Sequence, residues 1–168
     1  EIINLITPQQ RIFYPRLVRL FYQSLREHDG GYVFTWDGIT YPLSDALIAK
    51  ALKIAHERPL YSKLANYDCD IMNREGISAK GFGEYQEELS RQTMLLDKIL
   101  YCNAWCFGEA NRREGEMLEA TINVVNGHWI SPAALIFSSM NQTAWKAQTT
   151  DNIRIFPFPS TIEAIRQV

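Results

Sequence analysis

The chain has 168 residues, with 17 Lys and Arg against 19 Asp and Glu and a formal net charge of −2. Its 46% apolar and 21% charged residues are those of a folded globular protein, not a disordered or fibrous one. The near-neutral balance argues against a strongly cationic nucleic-acid binder, whose domain pI usually exceeds about 9. No apolar run approaches the roughly 20 residues needed to span a bilayer, so no membrane partner is expected. The length suits one domain of roughly 100–200 residues, here residues 1–168. Glu1 opens the chain without a charged and apolar leader, which reads as a segment cut from a longer protein.

Residues 15–27 carry the first helical pattern. Pro15 suits the first helical position, where its missing N–H would be unpaired anyway. Leu17, Leu20, Phe21 and Leu25 recur at helical spacing as a buried stripe, and Asp29-Gly30-Gly31 ends it. The β-forming runs Tyr32–Trp36 and Ile39–Tyr41 flank Asp37-Gly38, which predicts a two-residue hairpin turn with positive φ at both positions. Pro42, unable to donate to a ladder, ends the second strand. Ser44 caps a second helix from Asp45 to about Ile54, with Asp45 in its positive first turn. Residues 55–82, punctuated by Pro59, Asn66, Asn73, Gly76 and Gly81, predict irregular chain with a short helix around 60–66.

Ser90–Ala104 predicts a helix whose Met94, Leu95, Leu96, Ile99, Leu100 and Cys102 belong to the core; Gly108 breaks it. Asn111 and Glu114 form a capping-box pattern for a helix reaching about Val125, with Met117, Leu118, Thr121, Ile122 and Val125 inward and Gly127 as its cap. Ser131-Pro132 starts another helix through Leu135, Ile136 and Met140 to about Lys146. Ile153, Ile155 and Phe156 read as a short strand before Pro157 and Pro159, and Ser160 with Glu163 as a capping box for a last helix over 161–167. The sum is an α+β fold, a predominantly helical single domain of about six helices, with an N-terminal β-hairpin and a short extra strand. Its expected core includes Leu20, Phe21, Leu96, Ile99, Leu100, Leu118, Ile122, Leu135 and Ile136.

The search for chemistry is mostly negative. The sequence contains no phosphate-binding GxxxxGK[ST] loop, GxGxxG, GxSxG or HExxH, so no cofactor and no catalytic residue is assigned. His28, His56 and His128 sit near predicted element ends without paired spacing, as surface or capping histidines do. Cys69, Cys102 and Cys106 are too few for a disulfide scaffold and lack partners at metal-ligand spacing. Cys102 and Cys106 share a helix face as small buried residues, and an intracellular, reducing compartment follows. Asp68 and Asp70 flank Cys69; such a pair suits Mg²⁺ held with substrate phosphates, although solvated loop acids are the simpler reading. The carboxylates between Glu84 and Glu119 interleave with Arg91, Lys98, Arg112 and Arg113 as solvated helix faces do.

Two features point to binding. Arg16, Arg19, Gln23 and Arg26 follow helical spacing and line one face of the first helix, suited to phosphates or an acidic partner, although a plain solvated face is the simpler reading. Tyr32, Phe34 and Trp36 share one face of the hairpin; such aromatics stack on single-stranded nucleic acid, although packing of the hairpin onto helices is the more common explanation. The candidate contact residues are therefore Arg16, Arg19, Arg26 and Trp36, for a protein or nucleic-acid partner.

The order of four stretches resembles a domain borne by plant transposable elements, the plant transposon protein family of retrotransposons. Tyr14-Pro15-Arg16-Leu17-Val18-Arg19-Leu20-Phe21-Tyr22 is similar to that family's Pro-x-Leu-Val-x-x-Phe-Tyr opening. Val33-Phe34, Asp37-Gly38-Ile39 and Leu43-Ser44 resemble its strand, glycine turn, strand and Ser-capped helix. The helix pair between Leu89 and Met140 carries Gly127-His128-Trp129-Ile130-Ser131, and Ile155-Phe156-Pro157-Phe158-Pro159-Ser160-Thr161-Ile162 resembles a Phe-Pro-x-Leu-Ile-Thr close. A more distant likeness is to the plant mobile domain. The resemblance implies a domain of retroelement origin, sometimes captured by the host, and transfers no activity by residue. Signatures of the enzymes that travel with such elements are absent: no Asp-Thr/Ser-Gly, no Tyr-x-Asp-Asp, no Cys-x₂-Cys-x₄-His-x₄-Cys. The expectation is a non-catalytic interaction module in a plant nucleus or cytoplasm. The alternative is a metal-dependent nuclease, or its decayed descendant, using Asp68, Asp70 and Glu75.

Overall fold

The computed structural model describes residues 14–56, 90–105, 115–125, 127–128, 130–149 and 157–168. The first helix, α1, covers Pro15–Ser24 with proline in its first turn. It ends at Ser24, not Glu27, because Arg26–His28 form a strand, β1, which the sequence reading placed in the helix. β1 pairs antiparallel with β2 (Gly31–Trp36), which pairs antiparallel with β3 (Ile39–Leu43). Arg26-Glu27-His28 has little intrinsic strand preference; pairing supplies what propensity does not.

Both connections are two-residue Asp-Gly turns. Asp29 and Gly30 have φ of 51° and 75°, Asp37 and Gly38 of 48° and 80°, the double positive φ that a type I′ turn requires. Pro42 does not end β3 but lies inside it, opposite Val33. Counting out from the closing pair Trp36–Ile39, this is a non-hydrogen-bonded position on an edge strand, so the missing N–H removes no ladder bond. Where β1 stops, the Ser24 hydroxyl takes over: its oxygen accepts from Thr35 N–H at 3.1 Å and lies 3.2 Å from the Thr35 carbonyl.

α2 covers Asp45–Leu52, with the Ser44 hydroxyl accepting from Leu47 N–H at 3.2 Å and left-handed Lys53 ending it before Ile54. α3 covers Arg91–Leu100, capped by Ser90, and runs on into a π-helical turn, Tyr101–Trp105. α4 covers Gly115–Val125; beyond it Gly127 has φ of 74° and His128 N–H reaches the Asn123 carbonyl at 2.8 Å. α5 covers Pro132–Thr149, with Ser131 accepting from Ala134 N–H at 3.3 Å. α6 covers Pro159–Arg166. Its N-cap is Phe158, which has no side-chain cap bond, so Ser160 and Glu163 form no capping box; Glu163 is buried. The helix expected around 60–66, the break at Gly108, the Asn111–Glu114 box and the strand at 153–156 lie outside the described residues. Six α-helices and one three-stranded antiparallel sheet among the described residues make the fold α+β and predominantly helical. No helix among them is long and apolar enough to cross a membrane.

The chain divides into two units, residues 1–56 with 136–168, and residues 57–135. In the first, α1 packs on β2 and α6, and α2 packs on α6, around Phe21, Tyr22, Leu25, Phe34, Ile48, Met140 and Ile162. The Tyr22 hydroxyl donates to the Pro157 carbonyl at 2.9 Å. In the second, α3 packs on α4, and Leu100, Trp105, Met117, Ile122 and Leu135 are buried with the polar Thr93, Asp97, Thr121 and Asn123.

Of the expected core, Phe21, Leu100, Ile122, Leu135 and Ile136 are buried. Leu20 is not: it is 50% exposed, and Val18 and Tyr22 take the positions expected for it and Leu17. Leu96 and Ile99 are half-buried, and Leu95 and Cys102 are exposed, because the inward face of α3 carries Thr93, Asp97 and Leu100 instead. The side chain of Leu118 lies outside the described residues. The rotation of α1 is directly testable by urea denaturation. Phe21→Ala is expected to cost about 3–5 kcal/mol, and Leu20→Ala no more than about 0.5 kcal/mol; equal losses would turn the helix the other way. Gly38→Val is expected to destabilise the fold, since a β-branched residue tolerates positive φ badly; an unchanged midpoint would contradict the turn geometry.

Candidate functional site

The aromatic face of β2 decides which side of α1 meets water. Phe21 lies 5.0 Å, ring centre to ring centre, from Phe34 and 5.3 Å from Tyr22. Burying Val18, Phe21, Tyr22 and Leu25 leaves Arg16, Arg19, Leu20 and Gln23 exposed. At about 100° per residue these four fill an arc of about 100°, centred roughly 160° from the buried one. They are neighbours by i,i+3 and i,i+4 spacing: Arg16 beside Arg19 and Leu20, Gln23 beside both of those. Neither Arg16 nor Arg19 has an ion pair or hydrogen bond through its guanidinium to any described residue. No acidic residue lies between Tyr14 and Arg26. Arg16 stands in the first turn, beside the positive end of the helix dipole, where a cation is mildly unfavourable.

Arg26 does not belong to this stripe. It sits on β1 opposite Val33, so it projects to the face of the sheet away from Phe34 and hence away from α1. Trp36, the fourth expected contact, is half-buried and already engaged. Its ring lies 6.3 Å from that of Phe34, edge to face, and the Arg166 guanidinium carbon lies 5.9 Å from its centroid. Arg166 in turn approaches the Glu163 carboxylate at 3.8 Å. Glu163 is only 5% exposed, and its Oε1 has no hydrogen-bond partner. The structure therefore brings Arg16 and Arg19 together, separates Arg26, and assigns Trp36 to an internal contact. Sequence reasoning missed Leu20 as part of the exposed face and missed the Trp36–Arg166–Glu163 group; the i,i+3 spacing of Glu163 and Arg166 was its one visible trace.

The remaining candidates are dispersed. Asp68, Asp70 and Glu75 lie outside the described residues. His28 is exposed beside Asp29 at 3.4 Å, His56 lies 3.8 Å from Asp45, and His128 Nδ1 is 3.3 Å from Asn123 Oδ1. Cys102 is exposed, not buried as expected. Among the described residues no group of three or more His, Cys, Asp or Glu side chains is placed to hold a metal ion.

No protein-family model matches the chain, and neither the curated proteins nor the solved structures contain a match to it.

The Arg166 group yields a stability prediction. Arg166→Ala removes the cation from Trp36, a contact worth about 0.5–1 kcal/mol, and leaves the Glu163 carboxylate buried without a counter-charge. The double variant Arg166→Ala/Glu163→Gln is therefore expected to have a higher midpoint in urea than Arg166→Ala alone. A double variant less stable than the single one would refute the electrostatic account.

Proposed function

We propose that this chain is a non-catalytic interaction module of plant transposable-element origin, acting in the nucleus or cytoplasm, that binds a protein or nucleic-acid partner through the solvent face of α1. The origin is read from the order of the sequence motifs alone. The binding role rests on one observation: Arg16 and Arg19 stand exposed on a single helix face, without an ion pair to any described residue, with a half-exposed Leu20 at its edge. Surface arginines commonly find a carboxylate nearby, and a guanidinium fork without one is free to take a carboxylate or phosphate from a partner.

The test is a fluorescence-anisotropy titration of the full chain with labelled anionic probes, namely duplex DNA, single-stranded DNA and an acidic peptide. At least one is expected to bind. For duplex DNA, two phosphate contacts give a log–log salt slope of about −1.8, or about tenfold weaker binding between about 50 and about 200 mM salt. Arg16→Gln/Arg19→Gln is expected to flatten that slope, with folding unchanged by circular dichroism. Binding that ignores both substitutions would place the site elsewhere. Mg²⁺-dependent cleavage of the DNA would replace the module reading with the nuclease.

A further inference from the structure

We infer that the partner of the α1 face is an acidic amphipathic helix, presenting two carboxylates with one apolar side chain beside them; this rests on the binding role proposed above for that face. Three observations favour a polypeptide over a nucleic acid. The first is Leu20. A half-exposed leucine at the edge of this face, one turn beyond Arg16, offers an apolar contact that a phosphate backbone does not use, but that a Leu, Met or Phe on a facing helix does. Charges beside an apolar contact are the arrangement by which paired helices choose partners.

The second observation is charge. The chain carries a net −2, so a long polyanion is repelled by the molecule as a whole and attracted only locally. A short acidic helix brings few charges and lays them where the attraction is. Arg16 and Arg19 are i,i+3 neighbours, and carboxylates at i,i+3 or i,i+4 on a partner helix have the same spacing of about 5–6 Å. Each guanidinium can then take one carboxylate in a bidentate fork, with Gln23 offering both a donor and an acceptor at the edge.

The third observation concerns the sheet, the usual alternative for peptide capture. One edge is β1, three exposed residues, Arg26-Glu27-His28; the other is β3, which carries Pro42. Short charged strands and edge prolines are what discourage strand addition, so a peptide adding a strand is disfavoured. The face of α1 offers instead two arginines without an ion pair to any described residue, and an exposed leucine beside them.

The experiment uses the full chain and three labelled probes in the same anisotropy assay. One is a helix-forming peptide with glutamates at positions i and i+3 and a leucine at i+4, the spacing of Arg16, Arg19 and Leu20. The second is the same peptide with that leucine replaced by serine, and the third is single-stranded DNA of matched charge. The leucine peptide is expected to bind best. Its affinity is expected to fall about tenfold with Leu20→Ser or with the serine peptide, the effect of one half-buried leucine contact, and to vanish with Arg16→Gln/Arg19→Gln. Circular dichroism confirms that Leu20→Ser folds; an exchange to Ala repeats the test if it does not. DNA binding that depends on the arginines but not on Leu20, with both peptides weaker, would overturn the acidic-helix inference and leave the interaction-module reading standing. Failure of all three probes to bind would overturn both.

Discussion

The contact between Phe21 and Phe34 is the constraint from which the rest of the first unit follows. Phe21 is 1% exposed and meets Phe34 at 5.0 Å and Tyr22 at 5.3 Å; Phe34 continues the cluster to Trp36 and Tyr41 at 6.3 and 5.7 Å. Aromatic pairs of this kind are worth about 0.5–1.5 kcal/mol each beyond the area they bury. Their geometry also selects one rotation of α1. Once Phe21 faces β2, its neighbour Tyr22 is carried inward as well, and its hydroxyl needs a partner, which the Pro157 carbonyl supplies. A buried hydroxyl without one would cost about 1–3 kcal/mol. The same rotation sends Leu20 to the surface. The exposed face is thus a consequence of the core, and its composition was free to serve another purpose.

The fold was legible where local chemistry and tertiary demand agree. Asp37-Gly38 between β-formers, Ser44 before α2, Ser90 before α3, Gly127 after α4 and Ser131-Pro132 before α5 all act as their residue types dictate. It was illegible where pairing overrides propensity. Asp29-Gly30 repeats the Asp-Gly turn seen eight residues later, yet Arg26-Glu27-His28 gives no strand signal, so the turn read as a helix stop. Within α3 the misreading was of rotation. Leu95 and Leu96 look like core residues, but Thr93 and Asp97 are the ones buried. The Ser90 hydroxyl accepts from Thr93 N–H at 3.2 Å and donates to the Thr93 hydroxyl at 2.9 Å, which lets a polar residue occupy the inside at little cost. Hydrophobic periodicity alone has no way to register such a bond.

The candidate site was half legible for the same reason. The shared helix face of Arg16 and Arg19 is legible from spacing because both lie within one unbroken helix. Arg26 failed because its position depended on where that helix stopped. Trp36 was recognised as an aromatic on the correct strand face, but its engagement by Arg166 comes from the far end of the chain, 130 positions later, beyond the reach of any local pattern.

The two arginine environments show how the molecule divides its charge between folding and contact. Arg166 lies over Trp36 and beside a buried carboxylate, and its removal strands Glu163. Its charge is committed to the fold. Arg16 and Arg19 hold nothing in place, and a cation in the first turn of a helix opposes the dipole by some tenths of a kcal/mol. Folding alone would favour an acidic or neutral residue at Arg16. Leu20 points the same way, since half of its side chain meets water without any gain to the core. Two residues on one face are each mildly unfavourable for the isolated molecule, for different physical reasons; on the binding role proposed above, an anionic group and an apolar side chain arriving together would offset both. An acidic helix supplies both from a single surface, and a phosphate backbone supplies one.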